Sequence, residues 1–276
     1  MPEEVVADTH SMAVAGAGSA AAGEAIITGL PIALPAGGPY TIFKIWGNYV
    51  QATAAAAEAY GDYMRIEATV GDLTPNPAPL RLPLGVIGSS LGATIDVGCN
   101  PTAIHDVEYT APGKASLNLI MNTGTVLAVA PQCVMGIIFG KTRPVLKPFT
   151  YVDRVRAQVT AAALTAVGTI TISEKATKIV AVCGILAQDN VLTAGEELLG
   201  FFTLASDDIK LPPAQFPFNC AYSAGLGALI NNVGKVPPLW IPVEIPIVGG
   251  ARIDCSVDLN TAVTNAAEIQ IFIAFE

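Results

Sequence analysis

The sequence predicts an all-β chain made of two tandem jelly-roll β-sandwiches that arose by internal duplication. Three observations predict this fold class. Short apolar runs alternate with polar residues, helical periodicity is scarce, and the chain matches itself at a shift of about half its length. Seven or eight short strands in each half, without strand–helix alternation, indicate antiparallel sandwiches or barrels. The immunoglobulin sandwich is the alternative, but neither half has its Cys–Trp–Cys spacing.

The two halves carry matching residues in the same order. Tyr40–Gly47 aligns with Thr177–Gly184 in its apolar alternation and in its final glycine. Because the offset hardly changes along the chain, the halves are predicted to be duplicates of one fold. The other main matches are Gly88–Ile95 with Ser223–Ile230, Pro101 with Pro237, Gly113 with Gly249, Asn122 with Asp258, and Met135, Ile137 and Phe139 with Ile271, Ile273 and Phe275.

The repeats divide the chain into four segments. Residues 1–19 are assigned to an N-terminal arm of small residues, and residues 20–140 to the first jelly roll. Residues 141–155 contain two prolines and are assigned to an extended linker. Residues 156–276 are assigned to the second jelly roll.

Strands are clearest in the second repeat. Arg252–Leu259 alternates between an apolar and a polar face, which is typical of a half-buried strand. The best helix candidate is Thr53–Tyr60, and Gly88–Ala93 could hold one turn. The strands predicted in the second repeat are Val167–Ile172, Lys178–Leu186, Leu198–Ala205, Ala214–Tyr222, Leu239–Ile247, Arg252–Leu259 and Glu268–Phe275.

The composition predicts a protein that assembles. Of the residues, 52% are hydrophobic and 13% are charged, whereas a typical soluble domain has roughly 25% charged residues. Much of the surface is therefore expected to face neighbouring subunits or lipid. The net charge of −9 argues against direct nucleic-acid binding. The acidic start argues against a signal peptide, so synthesis in a host cytoplasm is expected.

The residue types that carry catalysis are scarce. The chain has two histidines, and the duplicate of His105 is Ile241, so the His-based metal site of two-domain cupins is not expected. The acidic pairs at 196–197 and 207–208 are interpreted as solvated turns, with structural calcium as the alternative. The five cysteines form no Cys-x-x-Cys pair and are expected to be reduced and buried. We therefore expect no catalytic residue, no cofactor and no enzymatic activity.

One cluster of charge carries a functional hypothesis. Five of the fourteen basic residues lie in or beside the linker, against one acidic residue. They could form a solvated linker, or they could contact anionic lipid headgroups or another shell protein. The five residues are Lys141, Arg143, Lys147, Arg154 and Arg156.

Tandem jelly rolls, a short linker and an N-terminal arm resemble the double jelly-roll major capsid proteins of icosahedral DNA viruses with an internal membrane. The run Val191–Leu204 is similar to coat proteins of archaeal and thermophile viruses in that lineage. The resemblance implies a homotrimeric, pseudo-hexagonal capsomer in the virion, standing over an internal lipid membrane with the arm inside. Its implied partners are neighbouring capsomers and minor capsid or penton proteins. It implies no catalytic residues.

Two other classes remain. A β-sandwich subunit of a non-viral extracellular filament or tube would share this composition, although such a subunit needs export. A carbohydrate-binding double sandwich should expose aromatic residues on loops, whereas Trp46 and Trp240 lie in strand-like runs.

Overall fold

The computed structural model of the chain is an all-β structure. It describes residues 8–27, 31–50, 63–75, 80–87, 102–123, 130–188, 199–209, 211–222, 239–260, 262–264 and 266–276. Every regular element within these ranges is a β-strand, as predicted, and none contains a helix long and apolar enough to cross a membrane. The helix predicted at Thr53–Tyr60 and the turn at Gly88–Ala93 lie outside the described residues.

The described part of the first half contains ten strands. They are β1 (Thr9–Ala17), β2 (Gly23–Ile26), β3 (Ile32–Ala33), β4 (Tyr40–Val50), β5 (Tyr63–Val70), β6 (Leu82–Pro83), β7 (Gly85–Ile87), β8 (Ala103–Ala111), β9 (Ser116–Thr123) and β10 (Gln132–Gly140). In one sheet, β1, β10, β4 and β8 are antiparallel neighbours in that order, and β7 adds a short parallel pairing to β4. The other sheet has the antiparallel order β2-β9-β5-β6, with β3 also on β9.

Within the described ranges of the second half there are nine strands. They are β11 (Tyr151–Val159), β12 (Thr165–Thr171), β13 (Lys178–Gln188), β14 (Gly200–Ser206), β15 (Leu211–Pro217), β16 (Asn219–Tyr222), β17 (Ile241–Pro246), β18 (Arg252–Leu259) and β19 (Ala267–Phe275). One sheet has the antiparallel order β11-β19-β13-β17, with β16 parallel to β13. The other has the antiparallel order β12-β18-β14-β15. The order of pairing is therefore the same in the two halves.

Strand registers place the aligned residues at corresponding positions. Trp46 pairs with Gly136 on β10, and Cys183, its sequence match, pairs with Phe272 on β19. Relative to β8, the register of β4 shifts between Ile42 and Lys44. The register of β13 shifts at the corresponding place, after Ile179, relative to β17 and β19.

Each half buries apolar side chains between its two sheets. The first core contains Ile45, Met64 and Ile137, and the second contains Val182, Phe202 and Ile273. Burying one such side chain fully contributes about 1.5–3 kcal/mol relative to leaving it exposed. The interdigitating inner faces thus hold each pair of sheets together.

The N-terminal segment differs from the predicted arm. Residues 9–17 form β1, which pairs with β10 over its whole length. Thr9 and Ser11 are buried although both are polar and small. Small residues predicted an arm because they cannot build a core of their own. They form a strand here because backbone pairing with β10 and cover from the second half supply the partners.

The linker also differs from its predicted bounds. Residues 141–150 lie outside the named strands, but β11 begins at Tyr151 and crosses the predicted boundary at residue 155. Most of β11 is solvent-exposed, so the apolar–polar contrast that marks a strand in the sequence is weak there.

Glu24, Tyr63 and Arg65 form a hydrogen-bonded cluster on the first half, and its geometry can be tested by titration. Glu24 accepts hydrogen bonds from Arg65 Nε at 2.8 Å and from the Tyr63 hydroxyl at 2.8 Å. These bonds, that from Arg65 first, lower the pKa of Glu24 to about 2. We expect NMR titration to show this value, and Arg65→Ala to raise it toward 4.5. Because the pKa of Glu24 is lowered on folding, the stabilisation from the Glu24–Arg65 pair is present above pH 4.5 and is lost as the pH falls toward 2.

Candidate functional site

The outer face of the β1-β10-β4-β8 sheet is buried inside the chain. Phe43, Trp46, Val134 and Ile138 point away from the first core and join the hydrophobic cluster of the second half. Trp46 is only 1% exposed. The two halves therefore pack through an apolar interface on this face, which covers β10 and β4 and leaves Asp106, Glu108 and Thr110 of β8 exposed.

Hydrogen bonds fix the register of this interface. The Ser11 hydroxyl donates to the carbonyl of Gln215 on β15, and the Ala13 amide donates to Gln215 Oε1 at 2.8 Å. The Glu244 amide on β17 donates to Thr9 Oγ1 at 2.9 Å. Strand β1 is thus bonded to one strand from each sheet of the second half.

The corresponding face of the second half is only partly covered. We call this face of the β11-β19-β13-β17 sheet the outer face of the second half. Val180 and Ala274 are buried there beneath Phe149 of the linker and Trp240. The ring centroids of Phe149 and Trp240 are 4.6 Å apart, and Phe272 lies 6.3 Å from Trp240.

The exposed part of this outer face lies on β11, whereas Cys183 at its centre is only 1% exposed. Val152 on β11 is 49% exposed, whereas Ser11, at the corresponding position of β1, is 1% exposed. Trp240 and Phe272 are half-buried. Arg154 lies over the ring of Phe272 at 6.0 Å. An apolar surface with one basic side chain across it is suited to contact another protein.

All five predicted basic residues are exposed, and the structure distributes them over both halves. Arg143 donates to Asp106 at 3.3 Å and also to the Val107 carbonyl, so it ties the linker to the first half. Arg156 pairs with Glu268 at 2.5 Å on the second half. Arg154 donates to Gln270 at 3.4 Å. Ion pairing of Arg143 and Arg156 reduces the positive charge that the group could offer to anionic headgroups.

A cavity of about 200 Å³ lies where the linker crosses the first half. Its lining combines the apolar Phe43 and Ile138 with the Lys44–Asp106 ion pair, whose atoms are 2.7 Å apart. Linker residues 143–146 and Pro242 complete it. Because Asp106 is already paired with both Lys44 and Arg143, the cavity offers no unpaired charge for a ligand.

Ile241, the predicted duplicate of His105, lies at the corresponding position of the second half. His105 pairs in register with Ile45, and Ile241 pairs with Val182 at the corresponding point. His105 Nε2 lies 2.8 Å from the Pro83 carbonyl oxygen. Within the described ranges, no three His, Cys, Asp or Glu side chains are grouped to hold a metal. Residues 196–197 lie outside those ranges.

Three of the five cysteines are described with their side chains, and all three are buried and not disulfide-bonded, as predicted. Burial raises the pKa of Cys183 to about 11 and that of Cys255 to about 12. We expect Cys133, Cys183 and Cys255 to resist maleimide labelling of the folded protein at pH 8 and to react in urea. Mass mapping of the labelled peptides measures this. Rapid labelling of Cys183 or Cys255 in the folded state would contradict the burial.

Sequence reasoning missed the aromatic residues of the outer face. Phe149 falls in the predicted linker, Trp240 in a strand-like run and Phe272 in the predicted strand Glu268–Phe275, and the sequence analysis predicts no shared surface for them. One signal was available, because the predicted strand Glu268–Phe275 is apolar on both faces and therefore needs cover on both.

Comparisons with known proteins identify no family. No protein-family model matches the chain, and no curated protein matches it. Among solved structures, the chain aligns with the cryo-EM structure of the T=1 Penaeus vannamei nodavirus at 11% identity and a TM-score of 0.20, over 98% of each chain. A TM-score this low supports no conclusion about fold or function.

Proposed function

We propose that this chain is a structural coat protein, built from two jelly rolls, that forms the shell of an icosahedral virus. The observation that carries the proposal is the pair of corresponding sheet faces. One is buried between the halves of the chain, and the other is left partly open. Because the two halves of the chain already pack through such a sheet face, copies of the chain could pack through the exposed part of the other face.

The jelly-roll assignment is supported by strand order. In each half, eight of the described strands pair in two antiparallel orders of four, to which β3, β7 and β16 add short pairings; the first strand lies beside the last and the second beside the next to last. This order is the one expected of a jelly roll, a fold common in viral capsid and lectin domains. The matching register shifts in β4 and β13 support an origin by duplication.

The proposed capsomer is a homotrimer with six jelly-roll lobes. Two observations support an obligate assembly. The chain carries little charge, and the linker exposes the apolar side chains of Val145 (70% exposed) and Leu146 (50% exposed). Among the described residues, β11 lies at the edge of its sheet and is mostly exposed, and a neighbouring copy would cover this edge. The proposal includes no catalytic role.

The proposed setting is the virion. Its partners are neighbouring capsomers, minor capsid or penton proteins, and an internal lipid membrane; the genome is not contacted directly. Of the five basic residues, Lys141 and Lys147 are exposed and form no ion pair with any described residue, so they are the strongest candidates for contact with headgroups or a minor protein.

Electron microscopy of the purified, concentrated protein tests the proposal against the filament alternative. We expect six-lobed particles and closed shells. Long tubes or filaments would support the alternative, a β-sandwich subunit of a non-viral extracellular filament. Isolated two-lobed particles at every concentration would contradict both.

A further inference from the structure

The cavity beside the linker is built from three parts of the chain. Phe43 and Ile138 come from the first half, Pro144 and Leu146 from the linker, and Pro242 from the second half. The cavity has a volume of about 200 Å³. A molecule bound in it would therefore contact both halves and the linker at once.

The lining of this cavity offers few free hydrogen-bonding groups. Asp106 accepts bonds from Lys44 at 2.7 Å and from Arg143 at 3.3 Å. Pro144 and Pro242 carry no amide hydrogen. A buried water typically needs two to four polar partners, so this lining favours an apolar guest over water.

The surroundings of the cavity are positively charged. Each charge in the lining has a partner, but two cations share the single carboxylate of Asp106, which leaves one positive charge in excess. The linker residues that line the cavity, 143–146, lie between Lys141 and Lys147 in the sequence. Both lysines are exposed and form no ion pair with any described residue. An apolar cavity flanked by cations is complementary to an anionic amphiphile.

We propose that this cavity binds the aliphatic chain of a free fatty acid, with the carboxylate held at the rim by Lys141 and Lys147. An apolar cavity of about 150 Å³ accepts benzene, so about 200 Å³ accepts a chain of roughly eight carbons. The chain packs on Phe43 and Ile138. A membrane lipid with two chains would leave one of them outside, which favours a single-chain ligand. The site does not depend on the proposed coat function.

Binding at this position stabilises the folded chain. The lining is complete only when the two halves and the linker are in place, so the fatty acid binds the folded state and not the unfolded one. By mass action, the midpoint of thermal unfolding should rise with the concentration of the ligand.

Calorimetric titration of the wild-type chain with octanoate tests the site. We expect one octanoate for each chain. Octanol is the matched neutral probe, since it has the same chain without the charge. It should bind on the order of tenfold more weakly, because the lysines attract only the carboxylate.

Filling the cavity tests its location. Leu146 lines the cavity and is 50% exposed, so Leu146→Trp places a larger side chain there without disturbing a core. We expect octanoate affinity to fall at least tenfold. The matched control is Leu164→Trp, at a leucine that is 65% exposed in the turn between β11 and β12. It should bind octanoate like the wild type, and circular dichroism compares the folding of the two variants.

Removing the two lysines tests the assignment of the head group. Lys141→Gln with Lys147→Gln should weaken octanoate binding on the order of tenfold and leave octanol binding unchanged. Lys175→Gln is the control, at an exposed lysine in the turn between β12 and β13. If the double variant binds octanoate as tightly as this control, the lysines do not hold the carboxylate and that part of the proposal is wrong.

The remaining outcomes separate the cavity from a membrane contact. No octanoate binding by the wild type, or equal binding by Leu146→Trp and Leu164→Trp, overturns the site and identifies the cavity as a packing defect. Binding of phosphatidylglycerol vesicles without binding of octanoate also overturns it, and leaves the membrane contact of the proposed function standing. Octanoate binding that only Leu146→Trp abolishes upholds the site, whatever number of copies the chain forms.

Discussion

Replacing Trp46 with alanine should lower the free energy of unfolding by about 3–5 kcal/mol, the cost of truncating a buried aromatic side chain. Trp46 is 1% exposed and belongs to the cluster that joins the first sheet to the second half. Its indole lies against Gly136 on β10, where any side chain would overlap the ring. The cavity left by alanine would lie at the interface between the halves, and we expect that side chains of neither half can move enough to fill it.

Urea unfolding followed by circular dichroism measures this loss. Trp46→Phe is the conservative comparison. The buried indole Nε1 has no acceptor among the residues that the structure describes, so its loss removes no observed hydrogen bond. Trp240→Ala is the matched control, because Trp240 is half-buried on the outer face of the second half. Its loss of stability should be smaller. A change below about 1 kcal/mol for Trp46→Ala would show that the halves do not depend on this interface.

Replacing Gly184 with alanine should destabilise the protein by about 1–3 kcal/mol through overpacking. The new Cβ would overlap the ring of Phe202 and lie 2.8 Å from the ring of Phe218. Both rings are fully buried, and they contact each other at 5.3 Å between centroids. Neither ring can move without displacing the other.

The matched control is Gly47→Ala, at the aligned glycine of the first half. A Cβ there would lie 2.8 Å from Met135 and 2.9 Å from Met64. Methionine side chains adapt more easily than aromatic rings, so the loss should be smaller. If urea unfolding shows equal losses of unfolding free energy in the two variants, the side chains that face each glycine do not determine the loss.

Strand positions in the second half could be predicted because their side chains alternate. Arg252–Leu259 was predicted and observed with identical bounds, since its apolar face packs on the core while its other face is solvated. Strands β1 and β11 could not be predicted in the same way. Both are edge strands, and what holds them is backbone pairing to β10 and β19, which side-chain patterning does not show.

The candidate site was predicted less well than the fold. The basic residues were identified by charge, but charge does not show that Arg143 and Arg156 would be paired with Asp106 and Glu268. The aromatic outer face depends on which strands meet in the sheet. Trp240 and Phe149 are far apart in sequence and touch only because β11 and β17 belong to the same sheet.

Native mass spectrometry of the purified wild-type protein at micromolar concentration tests the central claim most directly. A coat subunit with apolar side chains as exposed as Val145 and Leu146 should leave no stable single chain, because such surfaces are covered only in the assembly. The account predicts a mass of three chains. A stable, soluble single chain as the dominant species would contradict it.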